Sequence, residues 1–220
     1  MSPEAHPPLL CKLTCGDCIE VMRTAPAACI DFVLTDPPYG VRFRDRAGRT
    51  IKNDDRTDWI LPAFREVYRL LKPDRFCISF YGWNQAERFV WCWKKAGFTP
   101  VGHLVFVKHY PSKTGFVASH HEQAYLLAKG HPAKPASPLR DVLPWAYSGN
   151  RHHPTEKPLG ILRPLIESFT SPGELVLDPF AGSGSTLIAA RELGRAAAGI
   201  EKDPAYYAAA LKRLQWHPGA

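Results

Sequence analysis

Short apolar runs recur along this chain, and helical patterns fall between most of them. The strand-like runs are LLCKLT (9–14), IDFVLT (30–35), FCISFY (76–81), VGHLVFVK (101–108), EQAYLLAK (122–129), ELVLD (174–178) and AAAGI (196–200). Several are nearly continuous in apolar residues, the pattern of strands buried on both faces. Between them, DWILPAFREVYRLL stops before Lys72-Pro73, and NQAERFVWCWKKAG offers Asn84 as N-cap and Gly97 as the residue just past its end. STLIAARELG and DPAYYAAALKRL follow the last two runs, with Asp203 placed to cap the final helix. Such alternation predicts an α/β fold: a largely parallel sheet with helices on both faces. Runs 101–108 and 122–129 have no helix between them, so they are expected to form an antiparallel pair at one edge.

The stretch from 131 to 158, HPAKPASPLRDVLPWAYSGNRHHPTEKP, is rich in proline and lacks a period, and reads as a long loop or small insert. At 220 residues, 45% hydrophobic and 22% charged, the chain matches one ordinary globular domain. No apolar run approaches the roughly 20 residues of a membrane span. MSPEAHPPLL shows no basic patch followed by an apolar stretch, so no secretory signal is read there. The six Cys lack disulfide spacing, which favours a reducing, cytoplasmic setting. Cys11, Cys15 and Cys18 cluster without a fourth ligand nearby, so reduced thiols are expected rather than a metal site.

Three features carry chemistry. Where the run 30–35 stops, LTDPPYG sets Asp36, two prolines and Tyr39 in succession. Proline fixes its own φ and restricts the residue before it, so this backbone is frozen beside a carboxylate and an aromatic ring. ELVLDPFAGSGSTLIAARELG reads as strand, glycine turn and helix, in which Gly182 and Gly184 let the backbone approach a ligand closely. Glu201 lies 17 residues beyond Gly184 at the end of the next run, where α/β folds hold ribose hydroxyls. No Lys follows Gly184 and the G-x-G-x-x-G spacing is absent, so a nucleoside without phosphates fits better than a polyphosphate. A turn that only connects strand to helix is the bland alternative. Lys and Arg outnumber the acids 28 to 21, a formal +7 that favours an anionic partner. Arg42, Arg44, Arg46 and Arg49 crowd the stretch after Tyr39, either as a solvated loop or as a clamp on a polyanion.

The DPPY motif, the TEKP segment and the DPFAGSGST loop together resemble the amino-methyltransferases of DNA. Asp36 precedes Asp178 by 142 residues with HPTEKP between them, an order similar to the circularly permuted β-type group. The resemblance implies a Rossmann-like, seven-stranded sheet that binds S-adenosyl-L-methionine. It also implies one methyltransferase domain over 1–220 and a short target-recognition insert at about 131–152. The reaction it implies is methyl transfer to a flipped-out base of DNA. An aromatic amino group is a poor nucleophile, because its lone pair is delocalised into the ring. In the family, the Asp36 carboxylate and the Pro37 carbonyl each accept one amino hydrogen, favouring the electron-rich nitrogen of the transition state. Pro38 holds that geometry, and Tyr39 provides the face on which the base stacks.

Other roles follow from the same resemblance. Asp17 would contact the cofactor's adenine amino group, and Cys18 its ring. Lys157, assisted by Thr155 or Glu156, would meet the cofactor carboxylate. Asp178, Phe180, Gly182, Gly184 and Ser185 would line the methionine portion beside Asp36, and Glu201 would hold the ribose. Lys108, Tyr110 and Lys113 join the four arginines as expected nucleic-acid contacts. Adenine N6 is the expected target, because cytosine-N4 members more often show Ser where Asp36 stands. Cytosine N4, RNA as substrate, and a non-catalytic nucleic-acid-binding subunit remain open alternatives. With no restriction domain read, a solitary enzyme of bacterial or phage kind is expected, acting on a short or degenerate site, with a homodimer as one option.

Overall fold

The computed structural model describes residues 10–39, 57–111, 113–114, 116–145 and 157–216. The first part of the chain gives β1 (Cys11–Cys15), α1 (Cys18–Arg23), β2 (Ile30–Thr35), α2 (Ile60–Leu70), β3 (Leu71–Phe80) and α3 (Ala86–Ala96). The middle gives β4 (Thr99–Val107), β5 (Lys113–Thr114), β6 (Ala118–Ser119), β7 (His121–Lys129) and β8 (Val142–Pro144). The last part gives α4 (Leu159–Phe169), β9 (Leu175–Asp178), α5 (Ser185–Glu192), β10 (Ala196–Glu201) and α6 (Pro204–Trp216).

The main sheet has the order β1-β10-β9-β2-β3-β7-β4-β8, and β5 and β6 form a separate hairpin. All its pairings are parallel except those made by β7, which runs against both β3 and β4. The seven expected runs are all present. An eighth, β8, comes from inside the proline-rich stretch and pairs with β4 at the sheet's edge. The antiparallel pair is therefore not terminal, because β8 lies outside it.

Alternation along the strands sorts side chains between two cores. Phe32, Leu34, Ile78 and Phe80 pack with α4, α5 and the Leu214 end of α6. Val33 and Cys77 pack with α1, α2 and α3 on the other face. All six residues of β2 are buried, and its two polar members, Asp31 and Thr35, are both hydrogen-bonded.

Helix ends follow local chemistry. Gly97 closes α3 at φ +112°, a left-handed conformation that glycine adopts without penalty. Asp203 Oδ1 accepts the Ala205 N–H at 2.8 Å, capping α6 as expected. Asn84 does not cap α3: it sits within a 3₁₀ turn, Trp83–Gln85, that separates the sheet from the helix.

β2 joins the early part of the chain to the late part by pairing with β9. At its start the buried Asp31 accepts the Leu175 N–H at 3.0 Å and the Lys72 ammonium at 2.6 Å. Removing this carboxylate strands a backbone N–H between two central strands. Asp31→Ala should therefore cost about 2 kcal/mol of unfolding free energy, seen as a lower urea midpoint. An unchanged midpoint would contradict this role.

Candidate active site

The carboxyl ends of the parallel strands share one edge of the sheet, the place where open α/β sheets bind ligands. Asp36 follows β2 directly, Asp178 ends β9, and Glu201 ends β10. The two acids that are 142 residues apart in sequence thus stand on neighbouring strand ends.

Asp36 is held from two sides. The Tyr39 hydroxyl donates to its Oδ1 at 2.7 Å, and the Lys157 ammonium donates to Oδ2 at 2.5 Å. Lys157 is buried, and its Nζ lies 4.9 Å from the Phe80 ring centroid. Burial lifts the Asp36 carboxyl above the ordinary aspartate range. The Lys157 ammonium and the Tyr39 hydroxyl oppose that lift, and the Glu122 charge adds to it. Each oxygen accepts one hydrogen bond here and has capacity for another. The Tyr39 ring rests on the turn after β3: a Cβ placed at Gly82 would meet Tyr39 Cβ at 2.9 Å. Gly82 thus fixes the height of this ring, a role the motif alone does not reveal.

The glycine loop is built around Asp178. Its Oδ1 accepts the Thr35 hydroxyl at 3.0 Å and the Phe180 N–H at 3.1 Å. Burial pushes this carboxyl up to about 7, against hydrogen bonds from Thr186, Phe180 and Thr35. Gly182 and Gly184 both take left-handed backbone, at φ +51° and +82°. Glu201 accepts the Gly182 N–H at 2.8 Å and the Asp203 N–H at 2.7 Å, and burial raises its carboxyl. Phe180 stacks edge-on against Trp59 with centroids 5.0 Å apart. Ser185 is buried at the start of α5, its hydroxyl 3.2 Å from Arg213.

Asp17 lies next to Glu201, since Cys15 pairs with Glu201 and the Gly16 N–H donates to the Glu201 carbonyl. Its Oδ1 caps α1 through the Ile19 N–H, and Oδ2 meets Lys202 at 3.0 Å. Burial would raise this carboxyl, but the Lys202 ammonium and the Ile19 N–H outweigh it and hold it low. Cys18 is buried in the core cluster, and burial pushes its thiol up to about 12.

Some expected contacts fall elsewhere. Lys108 was expected to meet nucleic acid, but it is buried, ion-paired with Glu122 and placed 4.8 Å from the Trp145 ring centroid. An ammonium committed in this way is not a phosphate clamp. Tyr110 is half-buried against the core formed with α4 and α5. Lys113 belongs to β5, and its side chain lies outside the described residues. Arg42, Arg44, Arg46, Arg49, Thr155 and Glu156 also lie outside them. Among the described residues, no group of three or more His, Cys, Asp or Glu side chains is arranged to hold a metal ion. Within them no helix is long and apolar enough to cross a membrane.

A buried acid, a glycine loop and further strand-end acids on one edge suit a nucleoside-like ligand. The chain belongs to the DNA methylase family, whose N6/N4 model matches residues 30–212. It is 59% identical to YubD of Escherichia coli (strain K12), a methylase by name, over 90% of this chain and 88% of that protein. It is 27% identical to the DNA adenine methyltransferase YhdJ of the same organism, over 90% of this chain and 81% of that protein. Among solved structures it is similar to a protein from Thermus thermophilus that is a DNA modification methylase by name. That structure holds S-adenosyl-L-methionine, with TM-score 0.74, 25% identity and 95% of each chain covered.

The Asp178 carboxyl gives a pH prediction. It titrates near 7 in the folded chain against 3.8 as the ordinary value, so the folded form binds its proton more tightly. Its contribution to stability is full below the unfolded value and is lost as pH rises through about 7. Thermal melts without added ligand should show Asp178→Asn more stable than wild type near pH 8, by on the order of 2 kcal/mol or more. The variant's decline between acid and neutral pH should be shallower. Identical pH dependence in both proteins would refute this.

Proposed function

We propose that this chain transfers a methyl group from S-adenosyl-L-methionine to adenine N6 in DNA. The observation that carries the proposal is Asp36, held between Tyr39 and Lys157 on the same sheet edge as the Asp178 loop.

The donor set suits this cofactor. Asp17, Asp178 and Glu201 are acids at neighbouring strand ends, which match hydroxyls, an adenine amino group and a cationic ligand, and would repel a polyphosphate. Glu201 is pinned by two backbone N–H groups, and its remaining lone pairs are left for ribose hydroxyls. The left-handed Gly182 and Gly184 give the close backbone approach. When bound, the cofactor supplies an electrophilic methyl on a sulfonium sulfur.

This chain's residues prepare the nucleophile. Asp36 accepts one hydrogen of the target amino group, and the Pro37 carbonyl accepts the other, concentrating electron density on nitrogen. The ionised carboxylate is the stronger acceptor, and either of its oxygens can serve. The Lys157 ammonium favours the charged form of Asp36 and so works against its burial. Tyr39, seated on Gly82, presents its ring to the base, and stacking there offsets part of the cost of extrusion. Lys157 thus serves Asp36 first, and a share in holding the cofactor carboxylate is compatible with its position.

Adenine is preferred because Asp36 leads the motif and because YhdJ, named an adenine methyltransferase, is similar over most of this chain. Cytosine N4 is the second reading, since the matching family model is named for both chemistries. The insert at 131–152 contributes β8 to the sheet, which leaves little chain for reading bases and favours a short target.

The test incubates the protein with unmethylated bacterial DNA and isotopically labelled S-adenosyl-L-methionine, then digests the DNA to nucleosides for mass spectrometry. Labelled N6-methyladenine is the expected product. N4-methylcytosine would overturn the base assignment, and no labelled nucleoside would overturn the reaction. Asp36→Ala should cut turnover by about a hundredfold or more while cofactor affinity stays within a few-fold.

A further inference from the structure

The 13-residue connection from Lys108 to His120 leaves the sheet at the edge that carries Asp36. Its base is pinned. The Lys108 N–H donates to the His120 carbonyl at 2.7 Å, the Lys108 ammonium is paired with Glu122, and Tyr110 packs on the core. Beyond this base the chain folds into the β5–β6 hairpin, with Lys113 opposite Ser119 and Thr114 opposite Ala118. Between the two strands the sequence places Gly115-Phe116-Val117. Phe116 is fully exposed and Val117 is 73% exposed, so the most apolar part of the connection is presented to solvent.

This apolar tip belongs to a connection that leaves the sheet at the edge carrying Asp36. We propose that Phe116 is a wedge that enters the DNA duplex and fills the gap left by the extruded base. This rests on the reading above, since only chemistry on a flipped base creates such a gap. Beyond the buried Lys108, the connection KHYPSKTGFVASH carries His109, Lys113 and His120 and no acid, so nothing along it repels a phosphate backbone. An inserted aromatic ring takes over the stacking that neighbouring bases lose, as apolar wedges do in other DNA-bending proteins. In this arrangement Tyr39 receives the base on one side while Phe116 holds its vacated place.

The test uses wild type, Phe116→Ala and Phe116→Trp, all at a surface position that does not enter the core. Fluorescence anisotropy compares binding to a short intact duplex and to the same duplex with one abasic site. Wild type and Phe116→Trp should bind the abasic duplex about tenfold more tightly, because the gap is already open; Phe116→Ala should lose this preference. A second readout is methyl transfer to native and heat-denatured DNA. Phe116→Ala should lose about tenfold or more on the duplex and little on single strands, where no gap forms. An abasic preference absent from wild type, or kept by Phe116→Ala, would overturn the wedge. A change of oligomeric state in Phe116→Ala with the preference intact would also overturn it, and would assign the tip to a second copy of the chain. If wild type methylates no DNA, the proposed reaction falls, and the binding comparison still decides the role of Phe116.

Discussion

The parallel pairing of β2 with β9 is the constraint on which the rest of the molecule depends. It joins a strand from the first quarter of the chain to one near its end, and it is fastened at both ends by buried carboxylates. Asp31 ties the starts of the strands through Leu175 and Lys72. Asp178 ties their ends through Thr35. Because β2 leads into Asp36 and β9 into the glycine loop, this single seam fixes the spacing between that acid and that loop. A slip of one residue would turn Thr35 to the wrong face and separate them.

Around that seam, burial and charge divide the acids by role. Asp36, Asp178 and Glu201 all titrate above the ordinary range because they are withdrawn from water. Asp178 and Glu201 are steadied by backbone N–H groups and hydroxyls, neutral donors that orient without supplying charge. Asp36 has a cation, Lys157, delivered by the segment just before α4. The site is therefore assembled from separate stretches of chain, and its charge balance exists only once the sheet has closed. The pair Lys108–Glu122 repeats the device beside it, with Glu122 close enough to Asp36 to influence its titration.

Much of this was legible in the sequence, and the failures have physical causes. Runs rich in apolar residues marked all seven strands, the fully buried β2 and the partly exposed β1 and β4 alike; β8 was not visible, because three residues ending in Pro144 have no period. α4 was hidden by Pro164 inside it, since proline there removes a helical hydrogen bond. α1 has six residues, too few to show a helical repeat. Gly97 and Asp203 announced their caps because capping depends on residue type and neighbours alone. Asn84 misled because a 3₁₀ turn intervenes. In the site, each motif was visible singly, but the contact of Lys157 with Asp36 is a product of folding. Lys108 misled for the same reason: as a charge in a basic stretch it suggested a phosphate, while the antiparallel register of β4 and β7 gives it Glu122. The pairing of Phe106 with Glu122, had the register been known, would have signalled it.

The central claim of the proposed reaction is that Lys157 shifts Asp36 toward its ionised form, the stronger acceptor of an amino hydrogen. The most direct test is the pH dependence of the single-turnover methyl-transfer rate, at saturating cofactor, for wild type and Lys157→Gln. Removing the ammonium leaves the Tyr39 hydroxyl as the remaining counter to burial, so the acid limb of the variant's profile should move to higher pH, with the rate partly recovered in alkaline buffer. An acid limb that stays where it is in wild type, whatever the change in overall rate, would contradict the account.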